Sequence, residues 1–484
     1  MQYNSTRNRK LTAAAAEAVL RGIAPDGGLY ICDPAALPLE PGEMLKKDFT
    51  EMAEAVLERL LPDYSAELLR PMIRAAYGKF RTPEVTPLAA VGDYAVLELF
   101  HGPTCAFKDV ALSLLPYLIT GAKKLLGDKS RTVVLTATSG DTGKAALEGF
   151  RDVPETAIVV FYPEEGVSEI QRRQMVTQPG GNVWVAAVKG NFDDAQTGVK
   201  EIFAALPNTR KAALSSANSI NIGRLAPQII YYWHAWASLC RQGKILPQEP
   251  VNFVVPTGTF GDLLAGYFAR CMGLPVGRLV CASNANDVLT DFLTTGRYDR
   301  RRPFYKTISP SMDILVSSNL ERLLYLASGG DDAMVAQKMK ELSQHGFYEI
   351  DPALLNTLQQ TFLCGCCDDG KTAETIREVW EQEHYLLDPH TAVAWAVAEQ
   401  HRSKLRGPTV VLSTASPYKF APAVLAALGE NVPENAFDAM EKLHELTETD
   451  IPAPLAELAG LPVRHRDCIA KEEMLTYVRS RMEG

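Results

Sequence analysis

Short apolar runs separated by amphipathic stretches set the character of most of the chain. Between about residue 93 and residue 424, the runs at 132–136, 157–161, 183–188, 212–215, 251–255, 278–282 and 409–413 are mostly apolar and rich in β-branched residues. Strands buried on both faces read this way, so the pattern predicts an α/β fold with parallel or mostly parallel sheets covered by helices. Helices are predicted at 168–176, 193–206, 222–241, 261–271, 334–345, 372–383 and 390–401, where apolar positions recur with helical period. Before residue 93 the reading is mostly helical, with long segments around 49–61 and 66–79. After residue 425 the tail reads as helical and polar, ending in a segment at 471–482. No internal repeat, low-complexity tract or long linker is evident.

Length divides this pattern. A chain of 484 residues exceeds one ordinary core and suggests two or three domains. The expected division is an N-terminal domain over 1–92, an α/β body over 93–424 and a C-terminal helical extension over 425–484.

Composition narrows the partners. With 46% hydrophobic and 22% charged residues, the chain has the make-up of an ordinary soluble globular protein. Its formal charge of -9 and pI near 5.5 argue against nucleic acid, because phosphate backbones call for a concentrated basic face. Any anionic small molecule must then be met by local groups.

Arg7, Arg9 and Lys10 before the alanines at 13–16 imitate the start of a signal peptide. Glu17 and Arg21 break the apolar run too early for one. No segment approaches the length that crosses a bilayer, so the expectation is a cytoplasmic protein without a membrane partner. The nine cysteines, an odd count scattered from Cys32 to Cys468, fit reduced thiols better than a disulfide framework. Cys364, Cys366 and Cys367, followed by Asp368 and Asp369, suggest a metal site only at first sight. They lack a second ligand pair at zinc spacing, and His384 does not complete one, so they read as thiols in a turn with no metal.

Candidate chemistry concentrates in five stretches. The first, His101-Gly102-Pro103-Thr104-Cys105-Ala106-Phe107-Lys108-Asp109, sets a lysine near the start of a short helix, among small and apolar neighbours. Desolvation disfavours a charged amine, so a lysine placed this way is a candidate nucleophile toward a carbonyl cofactor and a candidate base. An isolated helix lysine would otherwise be solvated.

The second stretch, from Thr136 to Gly143, follows a strand and opens a helix. Backbone N–H groups and hydroxyls there suit a carboxylate or phosphate. A nucleotide P-loop is excluded, because Thr138 stands where its first glycine belongs and Ala145 where its magnesium-holding hydroxyl belongs. The third, Thr257-Gly258-Thr259-Phe260-Gly261-Asp262, repeats the order of strand, glycine loop and helix, which makes a phosphate cradle.

In the fourth, from Ser216 to Leu225, amides and hydroxyls lead to Arg224, a combination suited to a phosphate ester. Read differently, 218–221 is a helix-capping loop, and both readings stand. The fifth, Ser413-Thr414-Ala415-Ser416-Pro417-Tyr418-Lys419-Phe420, is a strand end running into a polar turn. His390, at a helix start, reads as a capping or structural residue.

The segment around Lys108 resembles the cofactor-lysine segment of threonine synthases, His-Gly-Pro-Thr-x-Ala-Phe-Lys-Asp, with Cys105 at the variable position. Tyr3-Asn4-Ser5-Thr6-Arg7 and the stretch from Gly22 to Tyr30 look like the N-terminal signatures of the bacterial and fungal class. The 254–262 loop is similar to that family's phosphate loop, and 413–420 to its Ser-Thr-Ala-x-Pro-x-Lys-Phe segment. Smaller likenesses lie at 190–195 and 387–392. The matches run from Tyr3 to Phe420 in the family's order.

The resemblance implies a fold type II, tryptophan synthase β-like architecture. That means two parallel-sheet lobes, the smaller over about 127–217, together with a helical N-terminal domain. It implies pyridoxal 5'-phosphate as cofactor, carried by Lys108, which also serves as the catalytic base. Gly258, Thr259, Phe260, Gly261 and Asp262 would meet the cofactor's phosphate and Thr414 its ring nitrogen. Ser139, Gly140 and Thr142 would hold the substrate's α-carboxylate, and Asn218, Asn221 and Arg224 its phosphate. Many relatives outside the threonine synthases place an amide at the position of Asp141, beside the cofactor's phenolic oxygen. A carboxylate there is repulsive unless a proton or cation lies between, so Asp141 either has such help or orients the loop.

The implied activity is conversion of O-phospho-L-homoserine and water to L-threonine and phosphate, by a monomer or homodimer. One alternative is another lyase of the same fold, an amino-acid dehydratase or phospho-lyase. The other is a non-catalytic or nucleotide-binding α/β protein.

Overall fold

Two sheets of unequal size carry the fold, and the loops at their strand ends carry the site. The structure, a computed structural model, describes residues 1–138, 140–164, 167–190, 192–206 and 211–482. At the N-terminus, β1 (Tyr3–Ser5), β2 (Asn8–Ala13) and β3 (Tyr30–Ile31) form a small antiparallel sheet. The sequence predicts loop and helix there, since strands this short carry too little alternation to be read. The helices Phe49–Leu60 and Ala66–Tyr77 follow as expected, the first opened by a capping box between Asp48 and Glu51. A hairpin of β4 (Leu88–Val91) and β5 (Tyr94–Glu98) then leads to Lys108.

The smaller parallel sheet is built from β6 (Arg131–Ala137), β7 (Thr156–Pro163), β8 (Val183–Val188) and β9 (Ala212–Ser216). β7 is buried at every position, which is why it reads as a continuous apolar run. The larger sheet takes β10 (Val251–Pro256) and β11 (Val276–Ser283). Beyond a separate antiparallel ribbon of β12 (Arg297–Asp299) and β13 (Phe347–Glu349), it also takes β14 (Phe362–Cys366) and β15 (Thr409–Ser413). Its order is β14-β11-β10-β15-β5-β4, parallel except for β4 at the edge.

The smaller sheet runs β16-β8-β7-β6-β9, where β16 (Asp467–Ile469) comes from the tail. The tail is therefore not purely helical: three of its residues pair in parallel with β8. The cysteine cluster also differs from the expected turn. It ends an edge strand, whose Phe362 packs on Phe260 and Tyr267 with ring centroids 5.8 and 5.7 Å apart. All nine thiols are free, and no group of metal-ligating side chains gathers among the described residues.

The helix predicted over 222–241 is broken by Pro227 into Ile222–Leu225 and Gln228–Arg241. That break turns the short piece, with Arg224, toward the site. One hydrophobic cluster runs from Tyr3 and Val56 through Leu118 and Trp233 to Leu324, so the N-terminal segment shares a core with the body. A second joins the other face of the large sheet to the helices Ala421–Ala427 and Ala436–Thr447. A third packs the smaller sheet against the last helix, Met474–Met482. Among the described residues, no helix is long and apolar enough to cross a membrane.

Candidate active site

The loops that follow the carboxyl ends of β5, β6, β9, β10 and β15 converge, as ligand-binding loops do in open parallel sheets. After β5 the chain turns at Gly102 and enters the short helix Lys108–Leu112. Asp109 folds back to accept from the Thr104 N–H at 2.8 Å and the Thr104 hydroxyl at 2.5 Å. A Cβ on residue 102 would fall 2.4 Å from the Asp109 side chain, so glycine is required there. Phe107 N donates to Thr414 O at 2.8 Å, and Ala106 bridges Ala415, which ties the lysine segment to the end of β15. Burial depresses Lys108 to about 8. Asp141 pulls the other way, while Lys419 and Arg224 reinforce the depression.

Asp141 opens the helix Asp141–Phe150 after β6. Its Oδ1 receives Lys419 Nζ at 2.6 Å and Gln171 Nε2 at 3.0 Å. Its Oδ2 faces Lys108 Nζ at 3.8 Å and the Ser311 hydroxyl at 3.4 Å. Burial works against this charge, yet Lys419 and Lys108 hold the carboxyl well below the usual range. A cation does lie against this carboxylate, and it is Lys419. Gly140 N and Gly143 N both donate to the Thr138 hydroxyl at 3.0 Å, which shapes the loop before the helix, and Thr142 is half-buried beside Asp141. Ser139 lies outside the described residues.

The glycine turn after β10 is held from behind. Ser317 Oγ donates to Gly258 O at 2.9 Å and Asn319 N to Thr259 O at 3.0 Å. Phe260 adopts φ 65° at the start of the helix Gly261–Cys271. The backbone N–H groups of 258–261 meet no acceptor among the described residues, so they remain available to an anion. A Cβ on residue 258 would sit 2.9 Å from Ser311 O, so that glycine admits the Ser311 backbone. Ser311 thus lies against both this turn and Asp141. The Asp262 carboxylate does not face the turn: its Oδ1 accepts from the Tyr231 and Tyr232 hydroxyls at 2.5 and 2.9 Å, and burial pushes it up to about 6.

Arg224 is 3% exposed. Its Nη1 donates to Ala217 O at 2.5 Å, its Nε has no partner, and no carboxylate pairs with it among the described residues. Burial lowers it to about 10. Of the two asparagines, Asn221 is drawn away from the site. Its Oδ1 caps the helix through Gly223 N at 2.8 Å, and its Nδ2 donates to Val19 O at 3.0 Å, so for this residue the geometry is that of a cap. Asn218 is half-buried, with its backbone N on Ser216 Oγ at 3.2 Å.

Thr414 is buried, and its hydroxyl makes no hydrogen bond to a described residue. His390 is structural. Its Nδ1 lies 2.8 Å from Asp388 Oδ1, and its Nε2 accepts from Ser311 N at 3.0 Å, so the ring steadies the Ser311 turn.

Three participants escape the sequence reading. Lys419 lies inside the 413–420 segment, and its signal is a lysine set among small and apolar residues. Asn319 and Arg322 give no local signal, because they act on main-chain carbonyls. Arg322, fully buried, donates to Tyr30 O at 3.0 Å, Asn319 Oδ1 at 2.6 Å and Ile220 O at 2.6 Å. It joins the N-terminal sheet to the glycine turn and to the loop before Arg224. The neighbouring Glu321 accepts from Arg7 Nε and Nη2, at 2.8 and 2.7 Å, and from the Thr6 hydroxyl, which accounts physically for the Tyr3-to-Arg7 signature.

Comparison with known proteins agrees along the whole chain. Residues 80–355 match the family described as pyridoxal-phosphate dependent enzyme. Residues 2–77 match the threonine synthase N terminus and residues 391–476 the threonine synthase C-terminal family. The chain is 39% identical over 474 residues to the threonine synthase of Pseudomonas aeruginosa, covering 96% of this chain and 98% of that protein.

It is 40% identical over 431 residues to Threonine synthase-like 1 of Homo sapiens, covering 85% of this chain but only 58% of that longer protein. Among solved structures, PLP-bound threonine synthase from Brucella melitensis superposes with TM-score 0.87 at 39% identity, over 100% of both chains. Yeast threonine synthase gives 0.87 at 35% identity, over 100% of this chain and 99% of that one.

Proposed function

The chain belongs to the threonine synthase family of fold type II pyridoxal-phosphate dependent enzymes, and from that premise we propose that it converts O-phospho-L-homoserine and water to L-threonine and phosphate. The observation that carries the reading is the convergence of a buried lysine, a glycine turn with free N–H groups and a buried arginine without a carboxylate. The first suits an aldehyde, and the other two suit two separate phosphates.

The residues present fit the cofactor. Lys108 would carry it, the N–H groups of Gly258, Thr259, Phe260 and Gly261 would hold its phosphate, and Thr414 would serve its ring nitrogen. Asp262 contributes by anchoring its helix to Tyr231 and Tyr232. Pyridoxal phosphate, when bound, supplies the electron sink that eases loss of protons from substrate Cα and Cβ.

The protein's own part is positional and acid–base. Gly140 and Thr142, with Ser139, bind the α-carboxylate at the start of their helix. Arg224 and Asn218 bind the γ-phosphate, and the guanidinium favours its departure by stabilising the charge that develops. Lys108 Nζ, once released, moves the protons at Cα and Cβ, a task suited to an amine near neutrality. Burial of the site between two sheets limits access of water to the reacting carbons.

Nine free thiols support a reducing compartment, the cytoplasm, and the reading is of a monomer or homodimer acting on a small molecule. The test is product analysis of the purified protein given O-phospho-L-homoserine, with borohydride trapping and peptide mapping at Lys108. Threonine and phosphate in equal amounts are expected. A second reading is another lyase of this fold. It predicts phosphate accompanied by 2-oxobutanoate, with no threonine.

A further inference from the structure

Asp141 lies between two buried lysines and treats them unequally. Lys419 Nζ is at hydrogen-bond distance, 2.6 Å from Oδ1, while Lys108 Nζ stands off at 3.8 Å from Oδ2. Lys419 is 1% exposed and Asp141 4%, and the Lys108 side chain is 12% exposed. In such surroundings a carboxylate left alone with one lysine would close into a tight ion pair and hold that lysine protonated. A protonated amine attacks no aldehyde and abstracts no proton.

We propose that Lys419 is a positioning residue that occupies the carboxylate of Asp141, so that Lys108 Nζ is left uncommitted. The proposal rests on the reading of Lys108 as the cofactor lysine.

The construction around Lys419 supports this. It rises from the turn Pro417–Phe420 after β15 and donates also to Thr104 O at 3.0 Å, so one ammonium ties the β15 end, the Lys108 loop and the Asp141 helix together. Gln171, from the helix Glu169–Val176, takes a second place on the same Asp141 oxygen. The other nearby carboxylate, Asp109 on the lysine's own helix, is engaged by Thr104.

The charged groups facing Lys108 are therefore Asp109 from its own helix, Asp141, Lys419 and, from the short helix Ile222–Leu225, Arg224. Lys144, which also acts on Asp109, is itself matched by Glu148 at 3.7 Å. Two carboxylates and two cations thus face Lys108, so these charges nearly offset one another and burial is what chiefly disfavours a positive charge there. Its depressed value, about 8, comes first from that burial, with Lys419 and Arg224 opposing the pull of Asp141.

The experiment is competitive acetylation of the full-length protein across pH 6 to 11, with Lys108 followed by peptide mass spectrometry, with and without pyridoxal phosphate. Protection of Lys108 by the cofactor tests the underlying reading. If the cofactor gives no protection, that reading fails whatever the midpoint.

Given protection, the cofactor-free midpoint tests the role of Lys419. Wild type should titrate near 8. Lys419→Met should raise the midpoint by about one unit or more, a roughly tenfold loss of reactive amine at neutral pH. Lys419→Arg should stay close to wild type, and the double variant K419M/D141N should return toward it. A Lys419→Met midpoint equal to or below wild type would overturn the proposal. Should Lys419→Met fail to fold, Lys419→Gln decides: the midpoint should rise above that of wild type, and an unchanged or lowered value sinks the idea.

Discussion

Lys108 is flanked by two sets of buried charge that the fold treats in opposite ways. On the side of the helix Asp141–Phe150, charge is matched: Asp141 holds Lys419 at 2.6 Å, with Gln171 and Ser311 completing its shell. On the side of the helix Ile222–Leu225, Arg224 is as deeply buried, yet it has a carbonyl for company, an unpartnered Nε and no carboxylate among the described residues. A buried charge is costly unless something meets it. The matched side is thus complete in the protein alone and serves to organise it, whereas Arg224, on the function proposed above, is completed by an anion from outside. The phospho-substrate proposed above is an anion of the required kind.

The most drastic way to break the comparison is to remove the amine common to both sides. Lys108→Ala should lower turnover by about 10³-fold or more, the scale of a lost base, and abolish cofactor absorbance while leaving the melting temperature of the cofactor-free protein near wild type. Activity retained within tenfold would mean that another group does the chemistry.

The two flanks should then respond differently to loss of one charge. Asp141→Asn leaves Lys419 buried without its anion and should cost about 3–5 kcal/mol of stability, as broken buried pairs do. Arg224→Leu removes an unmatched charge. It should leave the ligand-free melting temperature unchanged or higher, while KM for the phospho-substrate rises roughly 10- to 150-fold, the equivalent of a lost charged hydrogen bond of about 1.5–3 kcal/mol. Equal destabilisation of both variants, with KM unmoved in Arg224→Leu, would erase the distinction.

How much of this was legible beforehand follows from how local each feature is. The strands of both parallel sheets are readable because burial on two faces writes an apolar run, as in β7. Lys108 is readable because Gly102, Thr104 and Asp109 build its turn within one short segment. β1 to β3 are not, being two to six residues long, and neither is β16, which exists only because β8 offers an edge.

At the site, the pairing of Asp141 with Lys419 joins two strand ends far apart in the chain, so neither stretch discloses it alone. The sequence could say only that Asp141 either has a proton or cation beside it or orients its loop. Arg322 leaves no trace because its partners are mostly carbonyl oxygens, which every residue carries. Asn221 shows the opposite failure: a side chain of the right type in the right loop that is consumed by its own helix and by Val19.

The smallest effect concerns the slope of a pH profile, and it tests both flanks at once. Lys108 lies near 8 because burial, Lys419 and Arg224 together outweigh the attraction of Asp141. Only the neutral amine reacts with an aldehyde, so the rate at which cofactor-free protein takes up pyridoxal phosphate should rise with pH and level off above about 8. Between pH 7 and 9 an amine at about 8 gains about tenfold in its neutral form, whereas an ordinary lysine, at about 10.4, would gain nearly a hundredfold over the same span without levelling. Stopped-flow absorbance across that range separates the two. In Arg224→Leu the levelling should move upward in pH, because a repelling cation has gone. A profile that climbs a hundredfold in the wild type, or one that Arg224→Leu leaves unmoved, would show that the unmatched arginine exerts no influence on the amine.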